Sequence, residues 1–96
     1  MTKTNILNFL HEHKQELKEK YGIEKIALFG SYARDEADEH SDVDIVILEA
    51  NNRKLSNRLN AKKMIEERLN LNVDLGYFDS MKTFIKNRIQ KDFIYV

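Results

Sequence analysis

Apolar residues along this chain recur in two distinct rhythms. From Asn5 to Tyr21 they fall at Ile6, Phe9, Leu10, Leu17 and Tyr21, on one face of a helix. Thr4 is placed to cap that helix and Gly22 to end it. The run Lys25 to Gly30, "KIALFG", is short and continuously apolar, as for a strand covered on both faces. A short helix is expected over the polar stretch that begins at Ser31. The strongest strand signal is "DVDIVIL", Asp42 to Leu48. Alternation sends Val43, Ile45 and Ile47 to one side and Asp42, Asp44, Val46 and Leu48 to the other. A helix is predicted over Asn52 to Leu69, with Leu55, Leu59, Ile65 and Leu69 as its stripe. A third strand is predicted over Leu71 to Phe78. Asp79 or Ser80 is placed to cap a last helix whose Met81, Phe84, Ile85 and Ile89 read as core. The closing "DFIYV" reads as a short strand or an apolar tail, with Phe93, Ile94 and Tyr95 as candidates for an interface patch.

The order αβαβαβα implies an α/β (α+β) fold with a small sheet flanked by helices. The long helix between the second and third strands implies a parallel pair with a right-handed crossover.

Bulk properties narrow the function. Ninety-six residues suffice for one domain, residues 1–96, with one modest core. Sixteen basic and sixteen acidic residues give zero formal net charge, which disfavours direct nucleic-acid binding and favours self-association or a dedicated partner. Cysteine is absent, so there is neither a disulfide framework nor a zinc thiolate site. No apolar run reaches the ~18 residues a membrane span needs, and the N-terminus does not read as a secretory signal. The expected location is cytoplasmic.

The chemistry concentrates at the second and third strands. Asp42 and Asp44, two apart on a strand, present both carboxylates on one face roughly 6–7 Å apart. Two charges held this way call for a cation, and hard oxygen donors without His or Cys suit magnesium or manganese. Asp74, in "NVDLG", comes level with them if the third strand lies parallel beside the second, and Gly76 leaves room on its face. Gly30-Ser31 ends the first strand and opens a helix, where free N–H groups and the helix dipole suit a phosphate. For that turn to face the carboxylates, the first two strands must be antiparallel and the sheet mixed. Arg34, one helical turn beyond Ser31, is placed either to contact a phosphate or to pair with Asp38 or another acidic neighbour. His11, His13 and His40 show no ligand spacing. Lys62, Lys63 and Arg68, broken up by Glu66 and Glu67, read as a solvated helix face.

"GS", ten residues, then "DVD" resembles the signature of the nucleotidyltransferase superfamily with the DNA polymerase beta-like fold. With "GSYAR", "SDVDIVI", a late "VDL" and its short length, the chain most resembles the minimal nucleotidyltransferases. These are the MNT, or MntA-like, antitoxins of HEPN/MNT toxin–antitoxin modules. The resemblance implies that Gly30 and Ser31 hold the triphosphate of ATP, that Asp42 and Asp44 bind the divalent metal, and that Asp74 completes the site and serves as base. It further implies transfer of AMP to a tyrosine of a cognate HEPN ribonuclease toxin. The chain departs from the family at Asp35, where a glycine is common. That added charge beside the presumed triphosphate keeps a second function open, a weakly catalytic module that silences its partner by stoichiometric binding. A third, transfer to RNA ends or a small molecule, is disfavoured by neutral charge and by the lack of chain for an acceptor-binding domain.

Overall fold

The computed structural model describes all 96 residues. Its first helical segment is two helices, α1 (Lys3–Glu12) and α2 (Lys14–Tyr21), where one was expected. The cap is Thr2 rather than Thr4, in a reciprocal capping box with Asn5. The break falls at His13 (φ −99°, ψ 9°), whose ring stacks on Phe9 at 4.1 Å. Its Nδ1 lies 2.8 Å from the Phe9 carbonyl oxygen, which also accepts the His13 backbone N–H. A side chain competing for that carbonyl turns the helix. Gly22 ends α2 in the left-handed region, φ 68°.

β1 (Ile23–Phe29) leads into α3 (Gly30–Ala33), a single turn. It ends well before the polar stretch does, because Arg34 leaves the helix and Asp35 takes φ 58°. β2 (Val43–Ala50), α4 (Leu55–Leu69) and β3 (Val73–Tyr77) follow. Then come a 3₁₀ turn (Phe78–Ser80), α5 (Thr83–Ile89), a second 3₁₀ turn (Gln90–Asp92) and β4 (Ile94–Tyr95). The closing segment is thus a strand, paired antiparallel with β1.

The sheet is mixed, in the order β3-β2-β1-β4. β1 and β2 are antiparallel, and β2 and β3 are parallel with α4 as their crossover, as the sequence predicted. One sheet face carries Ile26, Leu28, Val43, Ile45, Ile47, Val73 and Leu75. It packs with Ile6 and Leu10 of α1, Leu17 of α2, and Ala61, Met64, Ile65 and Leu69 of α4 into one core. Each of these Val, Leu, Ile and Met side chains contributes about 1.5–3 kcal/mol on burial. Because a one-residue slip would turn this set to solvent, the core fixes the register and hence where the acidic residues stand.

Two apolar stripes differ from expectation. Leu55 and Leu59 are exposed, and the buried face of α4 is Ala61, Met64, Ile65 and Leu69. At about 100° per residue Leu59 lies some 120° round the helix from Ile65, so the four leucine and isoleucine positions never formed one stripe. Asn52 delays the helix by accepting the Lys54 N–H at 3.0 Å. The expected core of α5 is also corrected. Nothing on it is fully buried, Phe84 is 66% exposed, and Met81 lies before the helix. Neither Asp79 nor Ser80 caps α5, because Asp79 is engaged in a bidentate pair with Arg53, at 2.7 and 2.8 Å.

Candidate active site

The second face of the sheet carries the acidic residues. Phe29 pairs in register with Asp44, and Asp44 with Asp74, so these three share one row across β1, β2 and β3. Neighbouring strands stand about 4.8 Å apart. Val73 and Leu75 are buried while Asp74 between them is exposed, which confirms its orientation away from the core. Asp42 sits one residue before β2 rather than inside it, and is exposed.

The electrostatics join the three. Asp44 is half-buried, and its carboxyl is pushed up to about 6, first by burial and then by the charges of Asp74 and Asp42. The Arg34 guanidinium opposes that rise, so it too lies within electrostatic reach. As their side chains stand, no three His, Asp or Glu residues form a ready metal cage. Backbone register brings Asp44 and Asp74 side by side, with Asp42 two residues ahead of Asp44 and just outside β2. Hard carboxylate oxygens carrying uncompensated negative charge fit a divalent cation such as magnesium or manganese.

Gly30 completes this corner. It is buried at φ 77°, and a Cβ there would lie 3.0 Å from Asp44 Cγ and collide with the carboxylate. Only glycine lets the turn approach so closely without strain. Ser31 follows, half-buried, its carbonyl accepting the Glu36 N–H at 2.8 Å. One turn of α3 carries little macrodipole, so the phosphate-binding capacity here rests on backbone N–H groups and the Ser31 hydroxyl.

Arg34 pairs with Asp92 (Nη1–Oδ2, 2.7 Å) and Glu36 (Nε–Oε2, 3.2 Å), not with Asp38. Asp38 instead closes its own turn, accepting the His40 N–H at 2.8 Å. Asp35 is ion-paired to Lys3 at 2.9 Å, so its charge is directed to α1. Sequence reasoning missed Asp92, and it read Phe93 as part of an interface patch, whereas its ring is half-buried within the chain. Phe93 packs on Phe29 and Phe78, with ring centroids 6.1 and 5.6 Å away. The aromatic pattern of "DFIYV" was visible, but nothing local showed which residues it would meet.

Residues 10–96 match the family model described as nucleotidyltransferase domain, and the chain belongs to that family of enzymes. It is 36% identical over 96 residues to the protein adenylyltransferase MntA of Thermococcus cleftensis, covering 100% of this chain and 97% of that one. A solved minimal nucleotidyltransferase superposes with a TM-score of 0.78 at 25% identity, covering 98% and 95% of the two chains. A chain of the solved complex of tri-AMPylated Shewanella oneidensis HEPN toxin with MNT antitoxin superposes with a TM-score of 0.70, covering 98% and 71%. At 21% identity that likeness shows the fold. No helix is long and apolar enough to cross a membrane.

Proposed function

We propose that this protein transfers AMP from ATP to a tyrosine hydroxyl of a cognate HEPN-family ribonuclease toxin, and thereby neutralises it. The observation that carries the reading is the row Asp44–Asp74 across β2 and β3, with Gly30 closed against Asp44. The full-length likeness to a named protein adenylyltransferase supports the acceptor class, and the fold shared with a toxin-bound antitoxin supports the partner.

In this reading Gly30 and Ser31 hold the triphosphate, and Asp42, Asp44 and Asp74 hold the divalent ion. That ion would neutralise phosphate charge and polarise the α-phosphoryl group. Asp74, exposed like Asp42, takes the phenolic proton of the arriving acceptor. The tyrosine oxygen bonds to the α-phosphorus as the bond to pyrophosphate breaks. Positioning supplies much of the rate, and here the partner protein itself delivers the acceptor.

The stoichiometric-binding alternative drew on Asp35 as a charge that would repel nucleotide. The Lys3 pair answers that charge, which favours the catalytic reading. Incubation with the partner toxin, magnesium and ATP labelled at the α-phosphate decides between them. Label on a partner tyrosine, lost in Asp42→Asn and Asp44→Asn, is the expected result. A tight unlabelled complex that survives both substitutions would establish the alternative.

A further inference from the structure

The segment Gln90–Tyr95 grips the Gly-Ser turn from both ends. Ahead of the turn, Phe93 packs on Phe29, the residue before Gly30. Behind it, Asp92 holds Arg34, the residue that ends α3. The two partners of Arg34 are unequal. The Asp92 side chain is 19% exposed and its bond is the shorter, whereas the Glu36 side chain is 65% exposed. Stripping Arg34 from Asp92 would leave a mostly buried carboxylate unpaired, which is costly. Parting it from Glu36 returns a solvated carboxylate to water, which costs little. A guanidinium has five N–H donors in a planar fork, so Arg34 can keep Asp92 through Nη1 and present its other donors elsewhere.

We infer that Asp92 is a positioning residue for nucleotide binding: it anchors Arg34 beside the carboxylate row, and the polyphosphate of the nucleotide takes the place of Glu36 on the guanidinium. This rests on the nucleotide-site reading above and adds to it two roles of opposite sign. Asp92 helps the ligand by fixing the fork, and Glu36 hinders it by occupying the fork.

The test is direct binding of a non-hydrolysable ATP analogue with magnesium to the full chain, alongside KM and kcat for transfer. Asp92→Asn is expected to weaken binding about tenfold, the scale of one hydrogen bond to a charged group. It should raise KM while kcat moves less than about threefold, and Asp92→Glu should restore binding in part. Glu36→Gln should tighten binding by about two- to threefold, the scale of an exposed pair. In an Arg34→Ala background neither substitution should matter, since both act through the guanidinium. A merely structural role for Asp92 would predict none of this pattern. Binding unchanged in Asp92→Asn, or both variants shifting in the same direction, overturns the inference. If Asp92→Asn does not fold, Glu36→Gln alone decides, and unchanged or weaker binding there overturns it. Failure of the wild-type chain to bind the analogue would overturn the nucleotide-site reading itself, and this inference with it.

Discussion

Gly30 and Asp44 occupy one volume between them: the carboxylate of Asp44 stands where a Gly30 side chain would be. Gly30→Ala therefore meets two penalties, a left-handed backbone at φ 77° and a collision with a carboxylate. The backbone term alone is about 1–2 kcal/mol. The turn must shift, and a displacement near 1 Å costs catalysis on the order of 100-fold. Denaturant unfolding and the rate of AMP transfer should both fall. A variant with wild-type rate would mean that the turn does not position substrate.

Asp44→Asn should stabilise the metal-free protein while abolishing transfer. The folded pKa of Asp44, about 6, lies above the ordinary 3.8. A group raised in this way contributes its full stability below the lower value and loses it as pH rises through the upper one. At pH 7.5 the ionised carboxylate is therefore a liability that asparagine removes. Because Asp44 is only half-buried, the gain is discounted to about 1 kcal/mol, or roughly 4–8 °C in Tm. Thermal unfolding in chelator should show the gain at pH 7.5 and its disappearance near pH 4. An equal gain at both values would contradict this origin.

The outer edge of β3 is covered by α4 and the segment just before it. Glu66 accepts the Val73 N–H at 2.9 Å, Arg58 donates to the Leu75 carbonyl at 3.0 Å, and the Arg53 guanidinium lies 4.0 Å over the Tyr77 ring. An open edge strand invites pairing with other chains. Glu66→Ala should cost about 1–3 kcal/mol through the orphaned N–H. It should also raise light scattering on storage and leave the transfer rate per folded molecule unchanged.

Asp35 sits at φ 58°, a conformation aspartate tolerates and glycine prefers. Asp35→Gly relieves that strain and forfeits the exposed Lys3 pair, worth about 0.2–1 kcal/mol. The net effect on unfolding should lie between neutral and about 1 kcal/mol stabilising, with transfer retained. Asp35→Val, β-branched at positive φ, should destabilise. A large loss of activity in Asp35→Gly would show that the carboxylate works at the site.

The sheet and the carboxylate row were legible because each follows from short-range rules. Period-two alternation puts Asp44 and Asp74 opposite their apolar neighbours, and a long crossover helix makes β2 and β3 parallel. What escaped was set by partners distant in sequence or by side-chain competition. Arg34 meets Asp92, 58 positions away, and no local pattern announces that pair. The helix break at His13 depends on a ring reaching the Phe9 carbonyl. The α4 stripe was misread because leucine identity was weighed above angular position, and Ala61 and Met64 took the buried face.

The central claim is that Asp42, Asp44 and Asp74 act as one metal–nucleotide site against the Gly30-Ser31 turn. Its most direct test is the rise in Tm on adding magnesium and a non-hydrolysable ATP analogue to the wild-type chain and to the three single Asp→Asn variants. The account predicts a clear rise for wild type, of the size ligand excess over Kd dictates, and its loss in all three. An undiminished rise in Asp74→Asn, with the other two abolished, would detach β3 from the site and contradict the account.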